Sequence, residues 1–209
     1  MTIDRAGYPF IGGTAALAVA AALTVGYAGA VPLFILAGFF LYFFRDPDRE
    51  SPQDPALVLS PADGRVLVAG PAEPSATPPG DWQQISIFLS PVDVHVNRTP
   101  VSGRVTKVDF RPGKFLPAFH KDAAASNERS EIWVDHAGVP VVFRQLVGIL
   151  ARRVVTRVAP GAELRAGERI GLMKFGSRMD VFVPATAELR VKVGDPVVGG
   201  VTVIAILVR

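Results

Sequence analysis

The stretch FIGGTAALAVAAALTVGYAGAVPLFILAGFFLYFF, residues 10–44, decides the architecture. From Phe10 to Phe44 it runs 35 residues without an Asp, Glu, Lys, Arg or His. As one straight helix it would be roughly 50 Å long, against a bilayer core of about 30 Å. Gly26-Tyr27-Ala28-Gly29-Ala30-Val31-Pro32 breaks it near the middle with turn formers. The run therefore reads as two short membrane helices, about Phe10–Val25 and Val31–Phe44, joined by a tight turn. Each is shorter than the usual span of about 20 residues, so a spanning hairpin and a shallow re-entrant one both fit.

Working outward, a cleaved signal peptide is the rival reading, with Arg5 as a weak basic n-region. The run continues past a normal h-region, however, and ends in Phe39-Phe40-Leu41-Tyr42-Phe43-Phe44, aromatics suited to a membrane interface. A retained anchor is the better reading. Arg5 precedes the run, Arg45 and Arg49 follow it, and the turn carries no charge, which places both ends and the rest of the chain on the cytoplasmic side of a cell (inner) membrane.

The whole chain has 209 residues, 49% hydrophobic and 20% charged, too apolar for a disordered protein. Its mean hydropathy of +0.33 is high for a purely soluble one. Net charge is +3, compatible with an anionic membrane and too small to argue a nucleic-acid partner. The absence of cysteine excludes a disulfide framework, a thiolate zinc site, an iron–sulfur cluster and a Cys nucleophile.

After Ser51 the pattern changes to short Val/Ile-rich runs between Gly/Pro turns: Arg65–Val68, Ile85–Leu89, Val101–Phe110, Glu131–Val134, Val139–Phe143, Val154–Val158, Met179–Val183 and Val201–Val208. This predicts a mainly β (α+β) domain over residues 51–209, following the anchor of residues 1–50. Helix is expected only over Ala118–Arg129 and Gln145–Arg153. Ser60-Pro61-Ala62-Asp63-Gly64-Arg65-Val66 opens the domain and Val193-Gly194-Asp195-Pro196-Val197-Val198-Gly199-Gly200 closes it. Both resemble hairpins of lipoyl- or biotinyl-like barrel-sandwich folds.

Three histidines are available. His95 lies in Pro91-Val92-Asp93-Val94-His95-Val96-Asn97-Arg98, where strand alternation buries Val92, Val94 and Val96 and turns Asp93, His95 and Asn97 the other way. That is either a solvated strand face or a general acid/base in a polar setting. His136 reads as part of a turn and His120 as surface. Asp63-Gly64 is first a turn signal. No motif suggests a metal or a nucleotide.

Gly171-Leu172-Met173-Lys174-Phe175-Gly176-Ser177-Arg178-Met179-Asp180-Val181-Phe182-Val183-Pro184 has three readings. Gly176-Ser177 is a plain turn; or Met173-Lys174 is the Met-Lys hairpin of a carrier domain modified at Lys174; or the chain cuts itself at Gly176–Ser177. In the third, the Ser177 hydroxyl attacks the Gly176 carbonyl to give an ester, β-elimination cuts the chain, and hydrolysis leaves a pyruvoyl group and ammonia. Glycine leaves that carbonyl unhindered, and the ketone is an electron sink built from the chain itself.

Ser60–Gly64, Pro91–Arg98, Gly113-Lys114-Phe115, Asn127-Glu128-Arg129 and Lys174–Asp180, in this order, resemble the phosphatidylserine decarboxylase family in its short prokaryotic form. The likeness covers about Asp46 to Arg209. It implies a proenzyme cut before Ser177 into a β chain (1–176) and an α chain (177–209) that stay together as a heterodimer. Ser177 becomes the pyruvoyl cofactor. Asp63 matches an aspartate implicated in self-cleavage, and His95 a histidine linked to catalysis. Longer members have a second histidine where this chain has Arg98, and Leu-Gly-Ser-Thr where it has Phe175-Gly176-Ser177-Arg178. The implied activity converts phosphatidylserine to phosphatidylethanolamine and CO2, with membrane lipids as partners and no metal. Lys114, Lys121, Arg129, Arg152 and Arg153 are candidates for phosphate or membrane contact.

Overall fold

Strand β1 (Thr2–Ile3), helices α1 (Tyr8–Thr24) and α2 (Tyr27–Phe43) and strand β2 (Arg45–Asp46) make one compact unit, Met1–Asp48, in a computed structural model that describes residues 1–73, 77–120, 122–149, 154–174 and 176–208. The hairpin turns at Gly26, whose φ of 87° lies in the left-handed region that favours glycine. α2 starts at Tyr27 rather than at Val31, and Pro32 is carried inside it. Gly26 alone makes the break, so the proline is not needed for it. β1 and β2 pair antiparallel and close the open end of the hairpin. There Asp4 accepts from the Ala6 amide, and Phe10, Phe40, Phe43 and Phe44 stack on one another. Arg5–Thr24 is long and apolar enough to cross a membrane. Leu17, Leu23, Tyr27 and Ile35 point outward, as side chains meant for lipid would.

The second unit, Arg49–Arg209, is built of strands. In chain order they are β3 (Leu57–Leu59), β4 (Gly64–Pro71), β5 (Trp82–Leu89), β6 (Val96–Arg98), β7 (Gly103–Arg111), β8 (Arg129–His136), β9 (Val139–Val147) and β10 (Val154–Thr156). They continue with β11 (Glu163–Leu164), β12 (Arg169–Met173), β13 (Ser177–Pro184), β14 (Glu188–Leu189), β15 (Pro196–Val197) and β16 (Val203–Ile206). Among the described residues, a curled antiparallel sheet runs β11-β7-β8-β9-β13-β5-β4-β15, with smaller sheets β10-β12-β6 and β14-β16-β3.

β13 lies between β5 and β9 and is paired along both edges. One face of the large sheet holds the main core, with Ile85, Ile87, Ile132, Val141, Phe143, Met179, Val181 and Val183 all buried. On the opposite face Trp82, Trp133, Val142 and Phe182 form a second cluster. A charged row crosses that face. Glu131, Arg144, Asp180 and Ser86 are register partners on β8, β9, β13 and β5. The Arg144 guanidinium donates to Glu131 at 2.5 Å and lies over the Phe182 ring, while Arg178 donates to Asp180 and to Ser86. The two Gly-Asp half-motifs meet in space, since Pro196 pairs with Arg65 and Val197 with Gly64.

Three sequence expectations are corrected here. Of Ala118–Arg129 only Ala123–Ser126, α3, is helical, and Arg129 opens β8. Asn127 ends the helix because its side chain is committed elsewhere. It accepts from the Leu116 amide and donates to the carbonyls of Leu116 and Val147. Gln145–Val147 is strand, not helix, because these residues pair across β9 with β8 and β13; residues 150–153 lie outside the described ones. Finally, Met173-Lys174 is not a hairpin tip. β12 and β13 belong to different sheets, and Lys174, just after β12, is half-buried.

Candidate active site

Ser177 begins the central strand β13 and is fully buried. By alternation its side chain shares the core face with Met179 and Val181. Its Oγ has no hydrogen-bond partner among the described residues. A buried hydroxyl without a partner is costly and rare in a structural role. Immediately before it, Gly176 has φ 73°, a left-handed conformation that opposes a side chain. The Gly176 carbonyl packs against Gly148, where an added Cβ would collide with its oxygen.

The small sheet brings His95 to this junction. Strand β6 pairs with β12, so the segment before Val96 runs alongside Met173, whose amide donates to the His95 carbonyl. His95 is fully buried, contrary to the solvated-face reading. The alternation fails because Pro91–Asp93 is a turn, not strand. The Asp93 carboxylate accepts from the Ser90 amide and hydroxyl, both at 2.7 Å, and Val92 is thrown out to 60% exposure. Asp93 orients the imidazole through its backbone instead. Its carbonyl oxygen lies 2.9 Å from Nδ1, and a carbonyl only accepts, so Nδ1 carries the proton. Nε2 faces the Gly176 amide at 3.3 Å, and an amide N–H only donates. The imidazole is thus in the tautomer that presents a lone pair at the Gly176–Ser177 junction.

Asn97 lies beyond His95. It is fully buried; its Oδ1 accepts from Gln145, which accepts from Thr156, while its Nδ2 has no partner among the described residues. Asp63 sits at the head of β4. Arg65 of β4 and Arg178 of β13 both pair with Phe88, so Asp63 and Ser177 are at the same end of the sheet with β5 between them. Their backbones are roughly 10 Å apart at the usual strand spacing. Both Asp63 carboxylate oxygens accept from Arg49, at 2.6 and 2.8 Å, and one also accepts the Gly199 amide. Arg98 donates to the Gly167 carbonyl and packs on Gly200, on the Asp63 side of the site.

Of the cationic candidates, Lys114 is exposed and Arg129 half-buried. Burial, and then the neighbouring guanidinium groups of Arg144 and Arg111, hold Arg129 below the usual arginine range. Lys121, Arg152 and Arg153 lie outside the described residues. His120 is surface, as expected. His136 is structural, its ring nitrogens 2.6 and 2.7 Å from the carbonyls of Ser102 and Pro55. Among the described residues no cluster of His and carboxylates is arranged to hold a metal.

The sequence reading missed Gly148, Arg49 and the Asn97–Gln145 pair. Asn97 was visible as the residue two beyond His95. Arg49 counted only as a flanking charge, and Gly148 gave no local signal.

A family model described as phosphatidylserine decarboxylase matches residues 36–205. A protein of Solibacter usitatus (strain Ellin6076) named phosphatidylserine decarboxylase proenzyme is 46% identical over 193 residues, 91% of each chain. Proteins with the same name from Symbiobacterium thermophilum and Magnetococcus marinus are 46% and 41% identical, over 97% and 96% of this chain and 94% and 93% of theirs.

Proposed function

The chain belongs to the phosphatidylserine decarboxylase family and is a decarboxylase, and from that premise we propose that it cuts itself at Gly176–Ser177 and then acts on phosphatidylserine from a membrane anchor. The observation that carries this is the junction itself: a buried serine hydroxyl with no partner among the described residues, after a left-handed glycine, with Nε2 of buried His95 accepting from the Gly176 amide at 3.3 Å.

In self-cleavage, Ser177 Oγ forms a bond to the Gly176 carbonyl carbon as its proton leaves for a base. The C–N bond then breaks, giving an ester and a free Ser177 amine. Removal of the Ser177 Cα proton expels the Gly176 carboxylate, and water converts the remaining enamine to a ketone with loss of ammonia. His95 is the proposed base, since Nε2 is unprotonated and one residue away. Asp63 contributes by position. Its carboxylate is already held by Arg49 and the Gly199 amide, so it fixes the β4 head against the segment that becomes the α chain.

Residue 177 fits a pyruvoyl group, which is made in place from its own atoms in a buried site. Such a group supplies an electron sink for loss of CO2 from a substrate carrying an amine next to its carboxylate. Around it, His95 would return a proton to carbon, and Asn97 Nδ2 is a free donor for a substrate oxygen. The two chains stay joined without a covalent link. β13 remains paired with β5 and β9, β15 with β4 and β16 with β3. The anchor holds the enzyme at the membrane, with its arginine flanks favouring the cytoplasmic side.

Intact mass of the purified chain tests the proposal. We expect two species, 1–176 and 177–209, the smaller with a ketone in place of its N-terminal amine. Ser177→Ala should give one full-length inactive chain, and two chains from Ser177→Ala would refute the assignment.

A further inference from the structure

Resting on that reading, we propose that the second unit has its own bilayer-docking surface at the mouth of the cleavage site, formed by Val92, Phe119 and Ile149. Three separate segments, Pro91-Val92, Pro117–Phe119 and Gly148-Ile149, bring apolar side chains to one place. Pro91, Pro117–Phe119 and Gly148-Ile149, together with Phe88 and Gly176, line a cleft of about 370 Å³ with no charged residue among the described ones in its wall, and Val92 follows Pro91 in the chain. Its rim is not turned inward: Val92 is 60% exposed, Phe119 66% and Ile149 56%.

These side chains are held out by the fold. The Ser90–Asp93 turn projects Val92. Phe119 stands edge-on to Phe88 with ring centroids 5.9 Å apart, which props it up rather than letting it lie flat. Asn127 ties the carbonyl and amide of Leu116 to the end of β9, fixing the segment that carries Phe119 beside Gly148-Ile149. Single exposed apolar residues are ordinary, but a converging set around a cleft marks a contact site.

The occupant is a lipid bilayer. Gly176, the residue before Ser177, lines the cleft, so whatever enters it reaches the junction. The substrate named for this family has a polar head that must reach residue 177 and acyl chains that must not be left in water. An apolar rim pressed into the interface meets both demands, as interfacial segments do elsewhere. Arg129 adds charge of the right sign. It lies in one register row with Phe88, Arg178 and Leu146, on the same face of the sheet as Phe88. It is half-buried, and its positive charge favours an anionic headgroup nearby.

The chain has no cysteine, so a nitroxide can be attached at one position at a time in the full-length protein. Phe119→Cys and Ile149→Cys are labelled, with Val193→Cys as the comparison, an equally exposed position at 63% in the turn before β15. Each is reconstituted in vesicles of phosphatidylserine and phosphatidylcholine. Labels at 119 and 149 are expected to relax faster with oxygen than with an aqueous nickel chelate, placing them among acyl chains, while 193 stays aqueous. Nickel accessibility at 119 and 149 equal to that at 193 overturns the proposal. In a second measurement, Phe119→Ser is expected to lose at least tenfold more turnover on these vesicles than on monomeric short-chain phosphatidylserine; an equal loss on both also overturns it. If the unsubstituted protein neither cuts itself nor releases CO2, the functional reading falls while the depth measurement still decides the docking surface.

Discussion

Gly148→Ala is the sharpest test of the site geometry, because the side chain it adds reaches one group. A Cβ there falls closer than 3.0 Å to the Gly176 carbonyl oxygen, a separation that real Cβ atoms essentially never show. The Ala118 methyl lies 3.4 Å away on another side, so residue 148 has little room to retreat. Restoring ordinary contact needs a shift of about 1 Å. Most of it would fall on the Gly176 carbonyl, since β9 is fixed by Val147 paired to Ser177 and by Asn127 bonded to the Val147 carbonyl. The attack of Ser177 on that carbonyl depends on alignment, and a misplacement of about 1 Å costs of order 10²-fold in rate. We therefore expect the full-length chain to persist about a hundred times longer in a pulse-chase experiment on Gly148→Ala. A thermal melt checks that the domain still folds. Cleavage within threefold of the parent rate, in a folded protein, would refute the placement of Gly176 against Gly148 as a condition for processing.

Two further outcomes follow from the residues around the junction. His95→Ala should accumulate as uncut chain on a gel; normal cleavage with turnover reduced by about 10²–10⁴ would confine His95 to decarboxylation, and normal values for both would remove it from the mechanism. Arg49→Gln should slow cleavage as much as Asp63→Asn does, because either change breaks the same largely buried pair at a cost of about 3 kcal/mol; loss of cleavage in Asp63→Asn alone would instead make Asp63 a proton acceptor.

What the sequence revealed and what it hid divide along the range of the interactions. The helical hairpin was legible because its cause is local: 35 residues without a charge, with Gly26 to turn them. The strands were legible because β-branched runs between turn formers need no knowledge of their partners. Ser177 could be singled out because the chemistry proposed for it requires only the residue before it, and His95 as one of three histidines, but the surroundings of His95 were not foreseen. Alternation assumes an extended chain, and Asp93 spends its carboxylate on a turn that rotates Val92 outward and His95 inward. Gly148 and Arg49 were invisible for a different reason. A glycine inside a stretch that reads as helix, or an arginine after an apolar run, has no meaning until register places it. β9 must pair with β13 before Gly148 meets Gly176, and the β3–β4 loop must meet the turn before Gly200 before Arg49 has both Asp63 and the Gly199 carbonyl to bind.

The same register explains why the proposed cut would not undo the fold. The bond proposed to break precedes β13, at the end of that strand and not within its ladder. Everything that holds residues 177–184 begins one residue later: eight register pairs to β5, six to β9, and the Arg178–Asp180 pair locked to Ser86. The proposed cleavage would release Gly176, whose left-handed backbone is one that glycine adopts readily. The new terminus at residue 177 would then stay buried and paired to Leu89 and Val147, while the end that departs is free to relax.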